Sequence, residues 1–152
     1  MEQRRRIALV LVFVLLFGFA VIAVVQPFCS PFGINQPQWE LEVWVYEERA
    51  LNGNDTELDV GVLVSGQAGS TIHDVRLAFE DSDGQVYRTV EVGTLSGLAN
   101  ETRTVRLDRR PSVVRVETGP IEKGNDDAEY WIKGVQQANG EYEQFIQEHQ
   151  EC

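Results

Sequence analysis

The chain has 152 residues, enough for one domain of ordinary size after a short N-terminal segment. Its formal net charge is −11, because 24 Asp and Glu residues face 13 Lys and Arg residues. A surface this acidic lacks the basic face that neutralises phosphates, so we expect no nucleic-acid partner.

The basic residues are mostly arginine, and Lys123 and Lys133 are the only lysines of the sequence. An acidic, lysine-poor surface keeps a protein hydrated and soluble where salt screens charges over short distances. The composition therefore indicates a halophilic, archaeal protein. The alternative is an ordinary acidic exterior domain, which the scarcity of lysine disfavours.

An apolar segment follows closely on the N-terminus. Residues 7–25, with the sequence IALVLVFVLLFGFAVIAVV, carry no charge and would span about 28 Å as a helix at 1.5 Å per residue. That length matches the hydrocarbon core of a bilayer, and the run exceeds the roughly 7–15 apolar residues of a secretory signal peptide. We predict a transmembrane helix that serves as an uncleaved signal anchor.

The charges around this segment set its predicted direction. Residues 1–6 include Arg4, Arg5 and Arg6, whereas the first basic residue beyond the segment is Arg49. By the positive-inside rule, the basic N-terminus is cytoplasmic and the remainder of the chain lies outside. We therefore expect a single-pass protein of the cell membrane with its domain on the exterior face.

Residues 26–38 contain three of the five prolines and no clear periodicity, which predicts an extended, Pro-rich stalk. Residues 39–152 then form the predicted exterior domain with its C-terminal extension. Short runs of alternating apolar and polar residues recur there, separated by turn-forming segments such as DSDG. Runs of this kind without a clear amphipathic helix predict an all-β, antiparallel β-sandwich. The predicted strands are residues 39–46, 57–65, 73–80, 85–92, 102–107 and 112–117.

The C-terminal segment is ambiguous. Residues 129–136 fit either a seventh strand or a helix that Asp126 or Asp127 would cap. Gly134 is a poor helix former, so we favour the strand, followed by a turn at Ala-Asn-Gly. Residues 141–149 fit a frayed strand or a short helix.

Residues 57–107 follow an order of elements that is found in known modules. They comprise an alternating strand, a small-residue turn, a strand that ends at an Asp-Gly hairpin, a strand that runs into VGTL, a polar turn and the strand TRTVRL. This order resembles the immunoglobulin-like modules called CARDB and FxLYD, which occur in archaeal and bacterial surface proteins. The resemblance implies an immunoglobulin-like sandwich of about seven strands that acts in adhesion, as a spacer or in ligand binding.

The sequence contains no recognisable catalytic motif. His73 lies beside Asp74 in a predicted strand, where neighbouring side chains point to opposite faces, so we expect neither a dyad nor an enzyme. Two histidines and two widely separated cysteines offer no zinc spacing, and we expect no cofactor. Asp81 and Asp83 form a weak calcium candidate, because the EF-hand template fails beyond them. A hairpin turn with surface acids is the preferred interpretation of that loop.

Two pairs of residues are candidates for covalent modification. Asn54 and Asn100 each begin an Asn-x-Thr sequon in a polar, turn-like stretch, which makes them candidate N-glycosylation sites. Cys29 and Cys152 both lie on the predicted exterior, oxidising side. They would form a disulfide within the chain, bridge two chains or remain free thiols. A disulfide within the chain would tie the C-terminus to the stalk.

Trp44 and Tyr46 lie on the opposite face of their strand from Leu41, Val43 and Val45. If the valine face belongs to the core, the two rings are either covered by the C-terminal segment or exposed as a contact patch. We expect the C-terminal segment to cover them.

Taken together, these features predict a membrane-anchored exterior domain without enzymatic activity that contacts another membrane or cell-surface protein or serves as a cell-surface structural module. The alternative is a small-ligand or cation-binding surface receptor that uses acidic loops such as that of Asp81 and Asp83. The anchor and the predicted sandwich favour the first hypothesis, and the acidic loops motivate the second.

Overall fold

A computed structural model describes residues 39–66, 70–122 and 129–150. All of these residues belong to the predicted exterior domain. The predicted membrane segment, the stalk, Cys29 and Cys152 lie outside the described residues. The described part of the chain contains no helix that is long and apolar enough to cross a membrane.

The described residues fold into nine β-strands, which confirms the predicted all-β class. All six strands predicted before residue 118 are present, with ends that shift by up to four residues. The strand interpretation of residues 129–136 is confirmed, and residues 141–149 also form a strand. The elements are β1 (Trp39–Ala50), β2 (Thr56–Gly66), β3 (Thr71–Glu80), β4 (Val86–Ser96), β5 (Ala99–Leu107), β6 (Val113–Glu117), β7 (Ile121–Glu122), β8 (Tyr130–Ala138) and β9 (Glu141–Gln150).

The strands form one mixed sheet with the order β4-β3-β6-β8-β1-β2-β5, in which β7 pairs with β3 and β9 pairs with β8. Strand β8 joins the two halves of this order. Its first part, residues 130–133, pairs in parallel with residues 39–42 of β1. Its second part, residues 135–136, pairs antiparallel with residues 113–114 of β6. Pairing along β8 thus passes from β1 to β6, and we call the point where it changes the fork.

Three details of the predicted architecture are wrong. The described domain has nine strands instead of about seven, because β9 extends the sheet and the two-residue β7 is too short to leave a sequence pattern. The sheet is mixed instead of antiparallel, because β1 and β8 run parallel. The two groups of strands are not separate sheets, since β8 pairs with both.

Two tight turns form at the predicted positions. Between β3 and β4, the Gly84 N–H donates to the carbonyl of Asp81 over 3.1 Å. Gly84 has a φ of +76°, which glycine adopts without steric cost. Between β8 and β9, Asn139 and Gly140 have φ values of +53° and +88°, as a two-residue hairpin turn requires. The hairpins predicted at Asp-Gly and at Ala-Asn-Gly are therefore confirmed.

The core lies on the predicted apolar faces of the strands. The Trp39 ring is buried and stacks on the Tyr130 ring, with centroids 4.6 Å apart and an angle of 12° between the planes. This ring pair lies where β1 and β8 run parallel. The other largest fully buried side chains are Phe79, Leu41, Leu58, Ile72, Leu77, Ile132, Val43, Val60, Val62, Val75 and Val114.

Two glutamine side chains of β9 complete the hydrogen bonding at the fork. Val43 and Val116 lie just beyond the points where β1 and β6 leave β8, so their main chains have lost that strand partner. The Gln147 amide donates to the carbonyl of Val116 over 2.6 Å and accepts from its N–H over 3.1 Å. The Gln144 amide donates to the carbonyl of Val43 over 3.1 Å. These side chains therefore take the place of the missing strand.

The sheet is nearly closed, because its two end strands meet along a line that we call the seam. Gly97 and Leu98 connect β4 directly to β5 at one end of the seam. Further along, the Arg103 guanidinium of β5 donates to the carbonyl of Val92 in β4 over 3.1 Å. At the other end the seam opens into a groove between Tyr87 and Leu107.

Candidate interaction surface

Trp44 and Tyr46 are 40% and 55% exposed on the outer face of β1. The expectation that the C-terminal segment covers them is wrong, and the alternative, an exposed patch, is what the described residues form. The β8–β9 hairpin pairs with β1 only at residues 39–42, so it extends the sheet beside the rings. Half-buried Leu63, which lies opposite Glu42 on the same face, completes what we call the aromatic patch.

The Tyr46 ring packs against the backbone of β2. A register shift between Val45 and Glu47 makes Tyr46 the extra residue of a β-bulge. Its ring then lies against Gly61, where an added Cβ atom would overlap the ring. Gly61 is also the register partner of Trp44. The glycine therefore leaves space for the Tyr46 ring at the position directly opposite Trp44.

A half-buried ionic cluster borders the patch on the β8 side. The Lys133 ammonium donates to Glu40 over 2.7 Å and to Glu42 over 3.0 Å. The Trp44 Nε1–H donates to the second oxygen of the Glu42 carboxylate over 3.4 Å. Lys133 also lies 5.4 Å from the centroid of the Trp131 ring. One ammonium thus binds two carboxylates beside the patch, which leaves this border with a net negative charge.

The cluster shifts the pKa values of its members. Burial alone would raise the pKa of Glu42, but the hydrogen bond and charge of Lys133 outweigh burial and hold this pKa below its ordinary value. Burial alone would lower the pKa of Lys133, but its bonds to Glu40 and Glu42 hold this pKa above its ordinary value. The charged forms of Glu42 and Lys133 therefore favour the folded state.

We expect the cluster to stabilise the fold between two pH limits. The lowered pKa of Glu42 gives a contribution that is complete above the unfolded value of 4.5 and is lost as the pH falls through the folded pKa. The raised pKa of Lys133 gives a contribution that is complete below the unfolded value of 10.5 and is lost as the pH rises through the folded pKa. Urea unfolding across this range measures both.

A Lys133→Met variant provides the control for this pH profile. Without the ammonium, Glu40 and Glu42 repel each other, so protonation should stabilise the variant as the pH falls. The wild type should lose stability over the same acid range. Parallel profiles for the two proteins would show that the ion pairs contribute nothing.

A second charged cluster borders the patch toward the β1–β2 turn. The Arg49 guanidinium pairs with Glu47 over 2.8 Å, with Glu57 over 2.9 Å and with Asp59 over 3.1 Å. Hydrogen bonds from Thr104 and Arg49 lower the pKa of Asp59. One guanidinium pairs with three carboxylates, so this border also has a net negative charge. The aromatic patch thus lies between two negatively charged borders.

The two sequons lie on the surface of the described domain. Asn54 is exposed in the turn between β1 and β2. Asn100 is exposed on β5, where it is the register partner of Leu63. A glycan on Asn100 would therefore project from the same face as the aromatic patch, one strand away. Glycosylation at both positions stays a prediction.

The Asp81 carboxylate in the loop of the calcium candidate has protein partners for both of its oxygens. One Asp81 carboxylate oxygen accepts from the N–H groups of Asp83 and Gln85, both over 3.0 Å. The other oxygen lies 3.7 Å from the guanidinium of Arg109. Among the described residues, no group of three or more His, Cys, Asp or Glu side chains converges as a metal site would require. The Asp81 carboxylate therefore acts here as a turn-stabilising group.

His73 does not pair with Asp74. Its Nε2 atom lies 3.0 Å from the Glu122 carboxylate, so the side chain links β3 to the short strand β7. Asp74 has a left-handed φ of +51° and sits at an irregularity of the β3–β4 register. The two side chains therefore belong to different local contacts.

Comparison with known proteins shows no family for this chain. No protein-family model matches the chain, and no curated protein matches it. An X-ray structure of the Northeast Structural Genomics Consortium target SoR45 is similar, with 12% sequence identity and a TM-score of 0.33. The likeness covers 73% of this chain and 81% of that chain. At this level it assigns neither a fold nor a function. The described residues define an all-β domain with a nearly closed mixed sheet.

Proposed function

We propose that the protein is a single-pass, membrane-anchored binding module whose exterior domain contacts another cell-surface protein through the aromatic patch. The observation that carries this proposal is the exposure of Trp44 and Tyr46 side by side on one face of a folded domain. The orientation is supported by the basic residues 1–6 before the apolar segment 7–25. The module is not an enzyme.

The patch has the properties of a contact surface. Tryptophan and tyrosine are enriched among the residues that dominate binding energy at protein interfaces. Exposure of two such rings costs free energy that burial against a partner would recover. The bulge at Tyr46 already places one ring against Gly61 before binding, which reduces the side-chain entropy that is lost when the partner arrives.

The charges around the patch define the chemistry of the partner. Both borders carry more carboxylates than cations, namely the clusters around Lys133 and Arg49. A complementary surface would present an apolar centre with arginine or lysine at its rim. A second copy of this acidic chain would meet like charges, so we propose a different protein as the partner.

The proposal includes the immunoglobulin-like class for the exterior domain. The consecutive strands β2 to β5 and the Asp-Gly hairpin at Gly84 support it. The parallel contact between β1 and β8 and the shared strand β8 distinguish this domain from a simple antiparallel sandwich. A halophilic, archaeal source and glycosylation at Asn54 and Asn100 belong to the same proposal and are supported by the acidic composition and the exposed sequons.

Co-purification from washed membranes tests the proposal. Membranes that carry the full chain are washed at alkaline pH, solubilised gently and passed over an affinity column. We expect the full chain to remain in the washed membranes together with a defined partner. The double variant Trp44→Ala/Tyr46→Ala should reduce the amount of recovered partner by about tenfold or more, because each ring is a candidate hot spot.

Val86 provides the matched control, since it is 49% exposed on β4. A Val86→Ala variant should recover as much partner as the wild type. Equal recovery by the wild type and the double aromatic variant would reject the patch as the contact surface. Release of the chain by the alkaline wash would reject the anchor.

A further inference from the structure

The groove at the open end of the seam is lined by more basic than acidic residues. It is open to solvent, has a volume of about 280 Å³ and is lined by Tyr87 and Arg88 of β4, by Arg106 and Leu107 of β5, and by Asp108. Two arginines and one aspartate thus line a groove in a chain whose formal net charge is −11. The groove is therefore a local site of positive charge on an acidic protein.

Both arginines of the groove lack a salt bridge among the described residues. Arg88 is the register partner of buried Phe79, so no carboxylate lies directly across the β3–β4 pair. Arg106 is the register partner of Glu57, whose carboxylate is bound by Arg49 over 2.9 Å. The described arginines that do form salt bridges are Arg49, Arg103, Arg109, Arg110 and Arg115.

The side chains next to the two arginines are fixed by contacts of their own. The Tyr87 hydroxyl donates to the carbonyl of Arg109 over 2.8 Å. The Arg109 guanidinium lies 4.5 Å from the centroid of the Tyr87 ring, and its Nε lies 3.6 Å from Asp108. Asp108 is therefore engaged by Arg109. Arg88 and Arg106 keep their donors available in a groove whose wall is already formed.

We propose that this groove binds an oxyanion, namely the phosphate, sulfate or carboxylate group of a small molecule, between Arg88 and Arg106. The planar guanidinium group donates two parallel hydrogen bonds to such an anion. Two cations that line one groove repel each other, and a bound anion removes this repulsion. The site is distinct from the aromatic patch, because it lies at the seam between β4 and β5.

Calorimetric titration with inorganic phosphate tests the site. The full chain is held in detergent micelles at low chloride, and a saturable signal with one site per chain is expected. Arg88→Gln and Arg106→Gln should each weaken binding by about tenfold or more, because each removes charge-assisted hydrogen bonds. Arg88→Lys should fall between the wild type and Arg88→Gln, since it keeps the charge and loses the planar fork.

Arg76 provides the matched control. It is exposed on β3, forms no salt bridge with the described residues and lies between its register partners Glu91 and Glu117. Arg76→Gln removes the same charge outside the groove and should bind phosphate like the wild type. A wild type without saturable binding, or an Arg76→Gln variant as weak as Arg106→Gln, would overturn the proposal. Far-UV circular dichroism confirms that each variant is folded.

Discussion

Trp39→Ala should lower the free energy of unfolding by about 3–5 kcal/mol, because it removes a fully buried aromatic side chain and leaves a cavity. Trp39 is 1% exposed, and its ring stacks on Tyr130 with centroids 4.6 Å apart. The cavity would open where residues 39–42 pair with residues 130–133, which is where β1 joins β8. Urea unfolding followed by far-UV circular dichroism measures the loss.

Trp39→Phe is the matched control for this effect. The Trp39 Nε1–H is buried and has no hydrogen-bond partner among the described residues. Phenylalanine keeps an aromatic ring at this position and removes that unsatisfied donor, so the loss should stay below about 1.5 kcal/mol. Equal losses for Trp39→Ala and Trp39→Phe would contradict a stabilising role for the ring stack.

Gln147→Leu should lower the free energy of unfolding by about 2–4 kcal/mol, although the side chain lies close to the surface. The substitution removes both hydrogen bonds that the Gln147 amide makes to the N–H and carbonyl of Val116. Each main-chain group left unsatisfied away from water costs about 1–3 kcal/mol. Because β8 no longer pairs with β6 beyond residue 114, no neighbouring strand can replace the lost partner.

Two other glutamines give this prediction a graded control. Gln144→Leu removes a single bond to the carbonyl of Val43 and should cost about half as much. Gln136 is exposed on β8, so Gln136→Leu should change stability by less than about 0.5 kcal/mol. A loss for Gln136→Leu as large as that for Gln147→Leu would contradict the special role of the fork.

Local patterns account for the parts of the fold that could be predicted. The alternation of Leu41 and Val43 with polar residues specifies which side of β1 is buried, because strand side chains point to alternating faces. Asp-Gly at residue 84 and Asn-Gly at residue 140 specify hairpins, because these residues tolerate positive φ. Each of these signals lies within a few residues of the structure that it determines.

The fork and the patch depend on contacts between distant residues, which local patterns do not contain. Trp39 and Tyr130 are register partners although most of the domain's sequence lies between them. No periodicity in either segment distinguishes a parallel from an antiparallel partner. The exposure of Trp44 depends on where residues 129–150 pack, and the sequence alone was compatible with a covered and with an exposed ring. The groove at Arg88 could not be predicted, since a missing salt bridge becomes visible only when all neighbouring strands are in place.

Site-specific photocrosslinking tests the aromatic patch as a binding surface most directly. A photoreactive phenylalanine derivative replaces Tyr46, which keeps an aromatic ring against Gly61, and the full chain is irradiated in its native membranes. The same derivative at exposed Val86 on β4 serves as the control. We predict one discrete adduct with a different protein from position 46, its loss on Trp44→Ala, and no such adduct from position 86. No adduct from position 46, an adduct at twice the mass of the chain, or identical adducts from both positions would contradict the proposed function.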